Sequence, residues 1–130
     1  MIQQITLTNF RNHECSRITV GNAKNIIITG SNGAGKTAVL EAISLLSGER
    51  GLRGADMLNL ARFDGNGGFS VFATTDDDND ICVFFASQDT NRHAKINNEN
   101  APLSELGKIS RIIWLTPHED RIFVDSVADR

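Results

Sequence analysis

The sequence lacks the features that define several classes of protein. Its two cysteines, Cys15 and Cys82, have no second cysteine two or four residues away, so neither a disulfide framework nor a zinc cluster is indicated. No run approaches the roughly 20 continuous apolar residues that a membrane span needs. Residues 1–10 have neither a basic start nor an apolar block. We therefore expect a cytoplasmic protein with no signal peptide and no membrane partner.

Positive charge is also in short supply. Thirteen Lys and Arg against sixteen Asp and Glu give a net charge of -3, the wrong sign for a module that binds nucleic acid by bulk electrostatics. Any contact with nucleic acid must therefore be local. The remaining composition, 40% hydrophobic and 22% charged over 130 residues, is that of one ordinary globular domain. It excludes a disordered tail, a collagen-like fibre and a coiled-coil rod.

The first half of the chain predicts strands followed by a helix. Residues 2–7 and 17–20 are short β-prone runs. Residues 25–29 form a continuous apolar run, which is typical of a strand buried on both faces and predicts a central position in the sheet. The apolar spacing in residues 37–47 predicts a mostly buried helix that ends at Gly48.

The second half predicts an antiparallel meander. Two β-rich runs, residues 69–75 and 81–86, flank the acidic residues 76–80, which we interpret as a solvated turn because a calcium loop needs a glycine and a distal glutamate. A third run centres on residues 94–96, and we expect these strands to form a second layer or lobe. The remaining predicted elements are short helices at residues 56–62 and 103–106 and a last strand at residues 111–116.

Residues 30–37 match the phosphate-binding pattern GxxxxGK[ST] and lie between a predicted strand and a predicted helix, as a P-loop requires. Its glycines permit backbone angles that let successive N–H groups face an anion at the positive end of the helix. We expect Lys36 to act as a catalytic residue on the β and γ phosphates and Thr37 to bind Mg²⁺. A glycine turn that merely caps a helix is the alternative. The predicted nucleotide-binding residues of the loop are Gly30, Ser31, Asn32, Gly33, Ala34, Gly35, Lys36 and Thr37.

A P-loop alone does not hydrolyse ATP, because a carboxylate at the end of a neighbouring buried strand must complete the metal site. The nearest candidate is Glu119, which follows the apolar residues 112–115. Three residues separate Glu119 from the end of that run, which is a poor match.

With these residues in view, the chain resembles the amino-terminal part of the RecF family, bacterial recombination and gap-repair ATPases whose head belongs to the ABC class together with SMC proteins. The resemblance runs through Leu-Thr-Asn-Phe-Arg-Asn-His at residues 7–13, the loop and helix at residues 30–43, and the basic turn at residues 48–53. It continues at residues 114–120, where His118 is inserted into the family's Pro-Glu-Asp. Residues 56–108 match only in their order of elements.

The resemblance implies an α/β fold of the P-loop NTPase type, like an ABC ATPase head, with a mixed sheet and an antiparallel β-meander subdomain, incomplete in this chain. It divides the chain into a P-loop strand and helix unit at 1–54, the antiparallel subdomain at 55–110, and a strand with a Q-loop-like segment at 111–130. In that last segment Glu119 would replace the family's glutamine as a catalytic residue. Arg11 would lie near the nucleotide phosphates, and a surface arginine is the alternative.

The resemblance also implies a function in DNA replication and recombinational repair, in the response to DNA damage. ATP and Mg²⁺ would be the cofactors, and ATP would drive a homodimer onto DNA at double- and single-stranded junctions, with the mediators RecO and RecR as partners. The family's signature loop, Walker B aspartate and DNA-facing arm lie beyond position 130, so we expect ATP binding without hydrolysis by this chain alone. Residues 126–129 have the form of a helix capping box, which predicts a chain that is cut off, with a frayed terminus as the alternative.

Two other functions stay open on the residues alone. A compact P-loop kinase would clamp its acceptor with Arg50 or Arg53 and would transfer a phosphoryl group unaided. A non-catalytic module would bind nucleotide only to order its fold and would present a surface to a protein partner. His13, His93 and His118 are not spaced as metal ligands, so we interpret each as a surface or hydrogen-bonded histidine.

Overall fold

The computed structural model describes residues 1–115, and its central feature is one six-stranded sheet in which every strand pair is antiparallel. The sheet order is β2-β1-β3-β4-β5-β6. The strands are β1 Ile2–Phe10, β2 His13–Thr19, β3 Phe69–Thr75, β4 Asp80–Phe85, β5 His93–Ile96 and β6 Glu99–Ala101, and the helices are α1 Lys36–Leu45, α2 Met57–Leu60 and α3 Leu103–Ile109.

Strict alternation of apolar and polar residues explains why one face of the sheet is buried. In β3 every second residue from Phe69 to Thr75 is buried, and β4 follows the same pattern. The register places Leu7 opposite Val71 and Val71 opposite Val83, and all three side chains have no exposed surface. A row of this kind across three strands buries apolar area continuously, which is the main favourable contribution to folding.

Helix α1 packs against this buried face through β1 and β3. Its residues Ala38, Val39, Ala42 and Leu45 are buried. The chain then turns at Gly48, whose φ of 81° lies in the left-handed region. A Cβ at this position would collide with the carbonyl oxygen of Leu103, so the turn also permits close approach of α3. The predicted helix and its end are confirmed.

The predicted central strand at residues 25–29 is wrong for this structure. These residues have no regular secondary structure, and Ile26, Ile27 and Ile28 are 55%, 86% and 38% exposed. The predicted strand at residues 111–116 is likewise not formed over 111–115, where Ile113 is 92% exposed. A strand buried on both faces needs hydrogen-bonded neighbours, and no strand within residues 1–115 pairs with either run.

The antiparallel meander is confirmed, but it is not a second layer. β3 pairs directly with β1, so the meander continues the sheet that the amino-terminal hairpin begins. Strand β6 is not predicted from the sequence, because its residues Glu, Asn and Ala have low strand propensity. Asn97 and Asn98 join β5 to β6 with φ values of 50° and 67°, as a two-residue hairpin turn requires. The division of the chain at residues 54 and 110 stays a prediction.

The two short helices are present where the apolar pattern predicts them, α2 within residues 56–62 and α3 from residue 103. Across the part of the chain that the structure describes, no helix is long and apolar enough to cross a membrane.

Candidate phosphate-binding loop

The loop at residues 30–37 leads directly into α1, so its last residues form the amino terminus of that helix. Gly33 and Gly35 have φ values of 83° and 92°, a region that L side chains rarely adopt. Gly35 immediately precedes the first helical residue, Lys36. The first N–H groups of a helix have no intrahelical partner, and together they carry the positive end of the helix dipole. The structure therefore places unpaired backbone donors where the loop meets α1, and binding of an anion by them stays a prediction.

Lys36 folds back across the loop that precedes it. Its Nζ donates hydrogen bonds to the carbonyl oxygens of Gly30 and Ser31, at 2.6 and 2.7 Å. An ammonium group has three protons, so one donor remains after these two contacts. The positive charge is thereby fixed beside the backbone donors.

The tight turn between β1 and β2 also holds the loop, through contacts with two of its carbonyl oxygens. Asn12 Nδ2 donates to the carbonyl oxygen of Gly33 at 3.2 Å, and His13 Nε2 lies 3.2 Å from the carbonyl oxygen of Gly35. Since a carbonyl oxygen only accepts, His13 Nε2 carries a proton in this contact, and Nδ1 pairs with the Ser16 hydroxyl at 2.8 Å. His13 is thus a hydrogen-bonded histidine, one of the two roles expected for it.

Gly35 is confined by this turn as well as by its backbone angles. A Cβ built on Gly35 would lie 2.5 Å from His13 Nε2 and 2.8 Å from Asn12 Oδ1, closer than real Cβ contacts. The supporting roles of Asn12 and His13 were not predicted. The available signal was a cluster of polar residues at the end of a strand, which indicates a loop but not its partner.

Arg11 lies at the start of the same turn and is bound to α1. Its Nε and one terminal nitrogen donate to the two carboxylate oxygens of Glu41 at 2.8 and 2.9 Å, and the other terminal nitrogen donates to the carbonyl oxygen of Asn59 at 2.8 Å. Hydrogen bonding to Glu41 raises the pKa of Arg11, against the opposing effect of burial. Glu41 is only 2% exposed. A carboxylate amid the apolar positions of a predicted helix is the sequence signal that could have identified this pair.

A cavity of about 720 Å³ brings together four of the predicted site residues, Arg11, Gly33, Gly35 and Thr37, whereas Gly30 and Lys36 do not line it. Asn59 of α2 and residues 61–64, which follow that helix, also line the cavity. Arg53 lines the same cavity, whereas Arg50 lines a neighbouring one, so the two arginines considered for a kinase clamp are divided between two cavities. Ser31, Asn32 and Ala34 are exposed on the loop. Glu119 lies outside the described residues.

Comparison with known proteins identifies the family to which the chain is similar. Residues 1–116 match the AAA ATPase domain family. The chain is similar to the DNA replication and repair protein RecF of Mesorhizobium japonicum, with 38% identity over 99% of the chain and 35% of the relative. It is similar to RecF of Rhizobium rhizogenes with 36% identity over 99% of the chain and 36% of the relative. The chain thus spans about a third of the length of the curated relatives it matches.

Two solved structures extend the comparison to the fold. A structure of the recombination mediator protein RecF with ATP has a TM-score of 0.70 and 30% identity, covering 82% of this chain and 30% of that one. An SMC ATPase structure has a TM-score of 0.67 at 18% identity, covering 95% of this chain and 96% of that one, and shows the fold alone. The resemblance to the RecF family and the α/β fold of an ABC-type head, both expected from the sequence, are confirmed.

Proposed function

The chain belongs to the AAA ATPase domain family, and from this membership we propose that it binds ATP through residues 30–37 within a protein of DNA replication and repair. The observation that carries the proposal is a glycine loop, braced by a second turn, that presents the amino terminus of a buried helix to a cavity. The ATP-bound RecF structure and the RecF relatives support the choice of ATP and of DNA repair.

Phosphate binding in this proposal rests on the backbone and on Lys36. The N–H groups at the start of α1 donate to the phosphate oxygens, and the helix dipole favours the negative charge. The Lys36 ammonium exchanges its contacts with Gly30 and Ser31 for the β and γ phosphates. Because both acceptors belong to the loop itself, the exchange requires only a small movement of the side chain.

Mg²⁺ fits this site only as a companion of the nucleotide. No group of three His, Cys, Asp or Glu side chains within residues 1–115 is arranged to hold a metal ion. Thr37 is exposed in the cavity and would supply one hydroxyl ligand. Mg²⁺ commonly takes its remaining ligands from phosphates and water, and when bound it neutralises the developing charge during phosphoryl transfer.

Arg11 has a restricted role in the proposed site. Its guanidinium is paired in a bidentate manner with Glu41, so it contributes hydrogen-bond donors to the cavity with little net charge. Positioning of the turn that braces the loop is then its main contribution, and direct contact with phosphate is secondary. Glu119 as a Q-loop residue stays a prediction.

The functions of the longer relatives extend the proposal further. We also propose ATP-dependent dimerisation, binding to DNA at gaps and junctions, and partnership with RecO and RecR. We propose that the 130-residue chain alone binds ATP without hydrolysing it, because the carboxylates that line the cavity, Glu41 and Asp64, are already paired with Arg11 and Arg62 and so do not complete a metal site.

A titration with Mg²⁺-ATP beside a multiple-turnover hydrolysis assay tests this proposal. Lys36→Ala should reduce ATP affinity at least tenfold, since it removes a charged contact to phosphate. Lys24→Ala is the matched control, because Lys24 is exposed on the segment preceding the loop. Unchanged affinity in Lys36→Ala would contradict the proposal, and phosphoryl transfer by the chain alone would favour the compact kinase.

A further inference from the structure

An aromatic side chain shares the cavity with the phosphate-binding loop. Phe63 lines the cavity together with Gly33, Gly35 and Thr37, and it is fully exposed, at 104% of its reference area. A phenylalanine that contacts so little of its own chain offers an entire ring face to another molecule. No other aromatic residue lines this cavity among the residues that the structure describes.

The backbone immediately before Phe63 is attached to the end of β1. The N–H of Arg62 donates to the carbonyl oxygen of Asn9 at 2.8 Å, and the N–H of Arg11 donates to the carbonyl oxygen of Leu60 at 2.7 Å. Phe10 and Ala61 form an isolated antiparallel bridge between these contacts. The segment that carries Phe63 is therefore attached to the carboxyl end of β1. The residues that follow this strand end brace the phosphate-binding loop.

The two charged residues adjacent to Phe63 in the sequence, Arg62 and Asp64, form an ion pair. The guanidinium of Arg62 lies 3.3 Å from Glu14 and 3.0 Å from Asp64. The two carboxylates outweigh its single positive charge, so this part of the cavity does not favour a phosphate group. The cavity thus combines an anion-binding loop with an aromatic side chain, two features that match the two chemically different ends of a nucleotide.

We propose that Phe63 stacks on the base of the nucleotide whose phosphates bind at residues 30–37. This inference rests on the proposed function and assigns the part of the site that distinguishes a nucleotide from an inorganic polyphosphate. The cavity volume of about 720 Å³ falls within the range of roughly 300–1,000 Å³ that is usual for small-molecule sites. An aromatic ring stacks on any base, so Phe63 provides affinity for nucleosides in general.

The test compares Mg²⁺-ATP with Mg²⁺-tripolyphosphate, which lacks the base and ribose, on the 130-residue chain. Phe63→Ala should weaken ATP binding about tenfold and leave tripolyphosphate binding unchanged. Phe63→Trp should restore ATP binding, and the indole fluorescence should change on addition of ATP but not of tripolyphosphate. Leu58→Ala is the matched control, because Leu58 is 64% exposed on α2 and does not line this cavity.

The outcomes separate the two proposals. Equal ATP affinity in Phe63→Ala and the unaltered chain would overturn the stacking of Phe63 on the base and leave phosphate binding intact. Parallel loss of ATP and tripolyphosphate binding in Phe63→Ala would also overturn it, since the residue would then affect the loop. Failure of the unaltered chain to bind either ligand would overturn the proposed function itself.

Discussion

The antiparallel sheet and the two apolar runs at residues 25–29 and 112–115 contain the same kinds of side chain, yet their environments are opposite. Leu7 and Val71 in the sheet have no exposed surface, whereas Ile27 and Ile113 are 86% and 92% exposed. Most strands of the sheet find a partner across a short hairpin, so their burial is completed within residues 1–115. Apolar side chains favour burial in both regions, but only the runs that pair with neighbouring strands are buried in this structure.

One of the two largest expected effects comes from breaking the connection between the sheet and α1. Glu41→Ala leaves the Arg11 guanidinium, which is only partly buried, without its bidentate partner, and the loss of two hydrogen bonds between charged groups should cost about 3 kcal/mol of unfolding free energy. Urea denaturation followed by circular dichroism measures this loss. Glu49→Ala is the control, because this exposed carboxylate just beyond the helix should change stability by less than about 0.5 kcal/mol.

A double substitution sharpens that result. Arg11→Met with Glu41→Leu replaces both charges by apolar groups, so it should be much less destabilising than Glu41→Ala alone. Equal destabilisation of the double and single variants would show that packing, and not the unpaired charge, accounts for the loss.

The next effect contrasts one residue from each region directly. Leu7→Ala removes a fully buried side chain at the centre of the sheet and should cost about 2–5 kcal/mol of unfolding free energy. Ile27→Ala removes a side chain that is 86% exposed and should cost less than about 0.5 kcal/mol. The same denaturation experiment compares them, and a similar loss in both variants would mean that residues 25–29 are buried in solution.

The smallest effect concerns the brace of the phosphate-binding loop. Asn12→Ala removes a hydrogen bond to the carbonyl oxygen of Gly33, worth about 1 kcal/mol, and should weaken ATP binding about fivefold with little change in unfolding free energy. Isothermal titration with Mg²⁺-ATP measures the affinity. Asn91→Ala, an exposed position outside the loop's cavity, should leave it unchanged, and equal affinity of all three chains would remove Asn12 from the site.

Local patterns predicted the parts of the fold that depend on local chemistry. The alternation in residues 69–75 specifies a strand with one buried face, and the spacing of apolar residues after Lys36 specifies a helix. The phosphate-binding loop was found because its glycines and lysine occupy consecutive positions. The pairing of β1 with β3 was missed, since it joins segments more than 60 residues apart and leaves no local mark.

The candidate site was predicted only in part for the same reason. Arg11 was identified, but its partner Glu41 lies 30 residues away and resembles an ordinary helix position in sequence. Phe63 lies in a glycine-rich stretch that carries no motif, and only its place in the cavity marks it.

The confinement of Gly35 has a practical consequence for protein engineering. The loop is recognised from eight consecutive residues, yet its last glycine is packed against Asn12 and His13, which lie more than 20 positions earlier in the chain. A graft of residues 30–37 alone onto another scaffold would leave that packing behind. The transferable unit is therefore the loop together with the turn at residues 11–13.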